Sequence, residues 1–95
     1  MQVIWLPRAR TDLGHARHYI EQDNPEAARR IFTAIRTAVR RLSETPHLGR
    51  PGRVERTREL VVPHTPYIVP YTVIGDRLVI LAVIHGARAW PDKFE

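Results

Sequence analysis

Side chains capable of acid-base and anion-binding chemistry stand at the end of the chain's most apolar run. Leu78 to Ile84 leads straight into His85, Gly86, Ala87, Arg88, Ala89 and Trp90. A strand end projects its side chains at a fixed place, and Arg58, on an earlier β-rich run, is positioned to reach the same rim of a sheet. Together Arg58, His85 and Arg88 would suit a phosphodiester or an acidic peptide: guanidinium forks hold the anion and an imidazole changes protonation near neutral pH. The same residues also have a purely structural reading, in which His85 donates to a backbone carbonyl, Arg58 pairs with Glu59 or Glu55, and Trp90 covers the core.

Other templates for chemistry are missing. There is no Cys, no HxxxH or HExxH spacing, no Gly-rich phosphate loop ahead of a helix and no GxSxG. No metal and no cofactor is expected. His15 and His18, three apart on a helix, read as a solvated edge rather than a metal pair, and His47 and His64 fall in Pro-containing loops.

Charge narrows the partners. The formal net charge is +5, and of 15 basic residues only Lys93 is lysine. Such a surface attracts polyanions and makes planar, bidentate contacts, but it has almost no amine for proton transfer. Arg50, Arg53 and Arg56 in one loop, and Arg29, Arg36 and Arg40 along a helix, read either as cationic surfaces for contact with an anion or as a solvated loop and helix face. No aromatic residues interleave with the helical stripe, which argues against a stacking platform for single strands. With 95 residues, 43% hydrophobic and 26% charged, one domain with one core is expected over 1–95. No apolar stretch has the length of a signal peptide core or a membrane span, so a cytoplasmic protein that meets no membrane is expected.

Several elements must position these residues. Gln2 to Leu6 is a short strand ended by Pro7. Ala9, Leu13, Ala16 and Ile20 recur at helical spacing. Asn24, Pro25 and Glu26 form a capped start for a longer helix whose apolar arc is Ala28, Ile31, Phe32, Ile35, Ala38, Val39 and Leu42. The short link Asp23-Asn24 makes these an antiparallel hairpin. Thr45 to Arg56 reads as a loop, followed by strands over Thr57–Val62, Tyr67–Ile74 and Arg77–His85. Gly75-Asp76 is a two-residue hairpin signal that suits a type II′ turn. Leu78 to Ile84 lacks polar alternation, so that strand should be covered on both faces or lie centrally in the sheet, beneath the helices. Pro70 cannot donate a ladder hydrogen bond and belongs at a bulge or an edge. The fold class is therefore α+β, in two layers: an N-terminal strand and an antiparallel helical hairpin on a small, mostly antiparallel sheet, in the order β-α-α-β-β-β.

A hairpin opening with DNPEAA, the loop LGRPGR, the strand TRELVV and the run PYIVPYTVIGDRLVILAVIHGARAWP together resemble RelE/ParE superfamily toxins of type II toxin-antitoxin systems, from Val3 to about Pro91. The resemblance implies a cognate antitoxin whose acidic or amphipathic segment wraps the toxin and neutralises it, with operator DNA reached only through that antitoxin. It also implies one of two targets. RelE-like members are ribosome-dependent mRNA endonucleases that use basic and aromatic residues on the sheet. Where those relatives carry an Arg ahead of the aliphatic-aliphatic-Tyr stretch, this chain has Ile68, and Gly86 and Ala87 follow His85 where a Tyr often lies close by. Arg58, His85 and Arg88 would be an incomplete catalytic set. ParE-like members, which the hairpin and loop resemble more closely, poison DNA gyrase by protein contact. That favours a binding end over a catalytic one, with Arg50, Arg53, Arg56, Arg58, His85, Arg88 and Trp90 as the residues meeting antitoxin or target, and the segment His85 to Glu95 as the first place to look. A third alternative is an inactive homologue that serves as an antitoxin-binding co-repressor.

Overall fold

The computed structural model describes residues 1–94. The first strand, β1 (Gln2–Trp5), ends at Pro7, which starts helix α1 (Pro7–Glu21) two residues earlier than the first apolar position of the periodic pattern. Proline fits there because its fixed φ is already helical and the first turn has no acceptor for its missing N–H. Helix α2 (Pro25–Glu44) follows, its first turn capped by the Asn24 side chain, which accepts from the Ala27 N–H at 3.1 Å. The sequence pattern sets what each helix buries. Ala9 and Ala16 of α1, and Ala28, Ile35, Ala38, Val39 and Leu42 of α2, face the core. Phe32 instead lies at the hairpin seam, where Arg17 and Arg36 place guanidinium carbons 5.0 and 5.8 Å from its ring centre.

The expected loop after α2 contains a short strand, β2 (Arg50–Pro51), paired antiparallel with β3 (Arg58–Val61). Two residues of ladder are too few to leave a periodic signature. Next come β4 (Tyr67–Ile74) and β5 (Arg77–Ile80), joined by Gly75-Asp76. Gly75 takes φ 59° and Asp76 is not among the residues with positive φ, as a type II′ turn requires and a type I′ turn does not. The sheet runs β1-β5-β4-β3-β2, with β1 parallel to β5 and the other neighbours antiparallel. The apolar run thus lies centrally, between β1 and β4.

That run is not one strand. Tyr71 pairs with Ile80, but Ile68 pairs with Ile84 in the last strand, β6 (Ile84–His85), so three residues face two and the register slips by one. The slip falls opposite Pro70, whose carbonyl still accepts from the Leu81 N–H at 3.0 Å but whose nitrogen can return nothing. Of the bulge or edge expected for Pro70 the fold takes the bulge, with the extra residue in the partner strand, inside the sheet, where it divides the last strand. The Val83 N–H, freed from the ladder, donates to the Asp12 carboxylate of α1 at 3.0 Å.

Odd-numbered β4 residues, Tyr67, Val69 and Tyr71, join Leu60, Val62, Leu78, Ile80 and the two helices in the core. Ile68 and Pro70 point the other way by the pleat and are also buried. The chain leaves β6 close to that outer face, since a Cβ at Gly86 would lie 3.6 Å from the Ile68 side chain, and its next residues, Ala87 to Ala89, stand beside α1.

Candidate binding surface

The ionisable residues fall into two groups. Along β4, the partner of Arg58 is Tyr71 and the partner of His85 is Tyr67, four residues or about 13 Å apart at the rise of a strand. They also lie on opposite sides of β4. A hollow of about 440 Å³ is walled by Arg8, Asp12, His15 and Tyr19 of α1 and by Tyr67, His85 and Arg88. Arg58 instead lines a separate hollow of about 310 Å³ with His47, Arg56, Thr57 and Tyr71. His85 and Arg88 are thus brought together, and Arg58 is not.

In the first hollow, His85 is half-buried and stands edge-on to the Tyr67 ring at 5.6 Å. Its Nδ1 accepts from the Ala87 N–H at 3.1 Å, which leaves the ring proton on Nε2. Burial pushes the Tyr67 hydroxyl's pKa up; the nearby Arg88 charge partly opposes this. Asp12 is occupied by the Val83 N–H and by Arg8 at 3.6 Å, so the carboxylate in this basic wall is already engaged from within the fold.

The second group is tied to the loop that carries it. Arg58 donates to the Gly49 carbonyl at 2.8 Å, rather than pairing with Glu59 or Glu55. Glu59 takes Arg50 and Arg53 instead, at 3.1 and 3.2 Å. Tyr71 donates to the Pro46 carbonyl at 2.7 Å and accepts from the Gly49 N–H at 2.9 Å. Gly49 is required at this contact because a Cβ there would come within 2.7 Å of the Tyr71 ring and hydroxyl and 2.8 Å of the Glu59 carbonyl. Arg56 is exposed, holds φ 62°, and gives its carbonyl to the Thr72 hydroxyl.

Trp90 is half-buried, with the Arg53 guanidinium carbon 3.8 Å from its ring centre. Glu95 of the C-terminal segment lies outside the described residues. Sequence reasoning singled out neither Tyr19 nor Tyr67, which share the hollow with His85, nor Asp12 and Arg8. Tyr19 carried one signal, as a large aromatic off the apolar face of its helix; it is 69% exposed. Among the described residues no three His, Asp or Glu side chains are grouped so as to hold a metal ion, and no helix is long and apolar enough to cross a membrane.

Comparison with known proteins points in one direction. A family model described as the ParE toxin of the type II toxin-antitoxin system parDE matches residues 3–90. Y4kP, a candidate toxin of Sinorhizobium fredii, is 46% identical over 90 residues, spanning 95% of this chain and 93% of that protein. The toxin RelE2 of Caulobacter vibrioides is 38% identical over 87 residues, spanning 92% of this chain and 97% of its own length. A solved structure described as the chromosomal ParDE TA system from P. aeruginosa has a TM-score of 0.78 and 28% identity, over 90% of this chain and 95% of that one.

Proposed function

Because the chain belongs to the ParE toxin family of type II toxin-antitoxin systems, we propose that it arrests growth by binding DNA gyrase, as a protein ligand rather than as a nuclease. A toxin of this class has an antitoxin as its protein partner, and we infer that this partner covers the basic surface described above and carries the pair to operator DNA. The observation that supports binding over cleavage is the separation of Arg58 from His85 and Arg88 into two hollows. General acid-base cleavage of RNA needs the groups that move the proton and hold the phosphate within hydrogen-bond reach of one reacting centre. Here Arg58 is spent on a loop carbonyl and the outer face of β4 offers Ile68, not a cation. What remains is a set of exposed or half-exposed cationic groups around a C-terminal segment, a surface suited to complementary protein contact. On this reading the chain acts in the cytoplasm, where gyrase works.

The name RelE2 of one relative keeps the second reading, a ribosome-dependent mRNA interferase, open to test. Tightly controlled expression of the chain without its antitoxin separates them. Filamentation, a DNA damage response and intact mRNA are expected. Cuts at codon positions in translated mRNA, lost in His85→Ala or Arg88→Ala, would establish the nuclease instead, and harmless expression would indicate an inactive antitoxin-binding homologue.

A further inference from the structure

Glu59 is the one buried charged side chain among the described residues, 2% exposed on a strand whose alternate positions face the core. A carboxylate in that position needs full compensation. Its Oε1 accepts from Arg50 Nε and Nη2 at 3.2 and 3.1 Å and from Arg53 Nη2 at 3.3 Å; its Oε2 accepts from the Arg53 backbone N–H at 2.8 Å and from Arg53 Nε at 3.2 Å. Arg50 alone would neutralise the charge. The second arginine is therefore surplus to that task, and its orientation shows a second one: with its edge fixed by the carboxylate, the Arg53 guanidinium lays its face on Trp90 at 3.8 Å. A planar fork can bind an anion edgewise and an aromatic ring facewise at once, which an ammonium cannot. Among the described residues no acceptor meets the buried Trp90 Nε1–H, so no hydrogen bond from the indole to any of them holds this ring.

The chain before Trp90 has its own anchor. The Gly86 N–H donates to the Pro66 carbonyl at 2.8 Å and the Arg88 N–H to the His85 carbonyl at 2.9 Å. Gly86 to Ala89, all exposed, are thus strung between the end of β6 and the Trp90 ring, with Arg88 between the two fixed points. Beyond it, Trp90 meets Phe94 edge-on at 6.4 Å and Phe94 lies under Arg8 at 5.5 Å.

We propose that Glu59 is a positioning residue for the C-terminal segment: acting through Arg53, it clamps the Trp90 ring against the Arg53 guanidinium and so fixes where Arg88 is offered to the target. This rests on the reading that the segment meets the target. A released segment populates the competent placement only part of the time, and the apparent affinity falls by that fraction.

The test uses the full chain in a Trp5→Phe background, so that Trp90 is the sole indole. Glu59→Gln removes the charge at nearly constant volume; Arg53→Lys, which leaves the Glu59–Arg50 pair, covers the case in which Glu59→Gln does not fold. Ile35→Val, in the core of α2, controls for lost stability alone. Expected in either clamp variant are a red shift of Trp90 emission, severalfold stronger acrylamide quenching, and about tenfold more inducer for the same growth arrest, with none of these in Ile35→Val. The proposal is overturned if Trp90 keeps its emission and quenching in folded Glu59→Gln or Arg53→Lys, or if the indole is freed and growth arrest is undiminished. Should the parent chain fail to arrest growth, the toxin reading falls, while the quenching still decides whether Glu59 holds the segment in place.

Discussion

Removing the Tyr71 hydroxyl tests how the loop that carries Arg50 and Arg53 is held. Tyr71 is fully buried, and its oxygen makes two hydrogen bonds across 22 and 25 residues of sequence, from the Gly49 N–H at 2.9 Å and to the Pro46 carbonyl at 2.7 Å. Tyr71→Phe keeps the ring and its packing and deletes both bonds, leaving a buried N–H and a half-buried carbonyl without a partner. At a net value of about 1 kcal/mol per bond, with a further penalty for the stranded donor, the loss is about 2–3 kcal/mol. For a domain of this size each kcal/mol shifts the melting point by roughly 4–8 °C, so Tm should fall by at least about 8 °C. Thermal unfolding followed by circular dichroism, with urea denaturation at fixed pH as a second route to the free energy, reads this directly. Trp90 emission should change as well, because Arg53 stands on the same loop. A loss under about 0.5 kcal/mol would refute the reasoning, since it would mean that water replaces the hydroxyl at no cost and that Tyr71 does not pin the loop.

Other substitutions probe other links. Gly14 lies inside α1 with open space where a Cβ would go, so Gly14→Ala should stabilise by about 0.5–1 kcal/mol in urea unfolding. Asp12→Ala strands the buried Val83 N–H at the bulge and should cost about 1–3 kcal/mol, whereas Asp12→Asn keeps an acceptor there and should cost clearly less by the same assay. In acid, burial pushes the Glu59 carboxyl's pKa up, but the hydrogen bonds from Arg53 and Arg50 outweigh it and hold the pKa below its usual 4.5. A depressed carboxyl contributes stability above the unfolded-state pKa and loses it as pH falls through the folded-state value. Trp90 emission should therefore hold from neutrality to about pH 4.5 and change only below it. At the alkaline end, burial raises the Tyr71 pKa above its usual 10.0. The unfolded chain then ionises first and stability should fall as pH rises past that value, less so in Tyr71→Phe.

What was legible in the sequence was local. The cap at Asn24, the two apolar helical arcs and the Gly75-Asp76 turn each depend on residues within a few positions of one another, and each stands where the spacing puts it. Pro70 called for a bulge or an edge because its missing donor is a property of one residue; which of the two it met, and which strand would absorb the extra residue, depended on pairing, and so the division between Ile80 and Ile84 was not visible. The site was harder for the same reason. TRELVV gives no sign that Glu59 turns toward Arg50 and Arg53 rather than its neighbour Arg58, because the choice follows from the β2–β3 register and from the Gly49 carbonyl, which takes Arg58. His85 and Arg88 are close in sequence and share a hollow. Arg58, expected from its place on another strand to reach the same rim, is separated from them because β4 runs between β3 and β6. Tyr67 and Tyr19 joined the hollow through the packing of α1 against the sheet, which no motif records.

The most direct test is a supercoiling assay with purified chain, purified gyrase and relaxed plasmid, run beside a translating extract in which mRNA integrity is followed. Loss of supercoiling, with cleaved DNA trapped on the enzyme, reversal by the antitoxin and intact mRNA, is the predicted result. Unimpaired supercoiling together with cuts in ribosome-bound mRNA would contradict it.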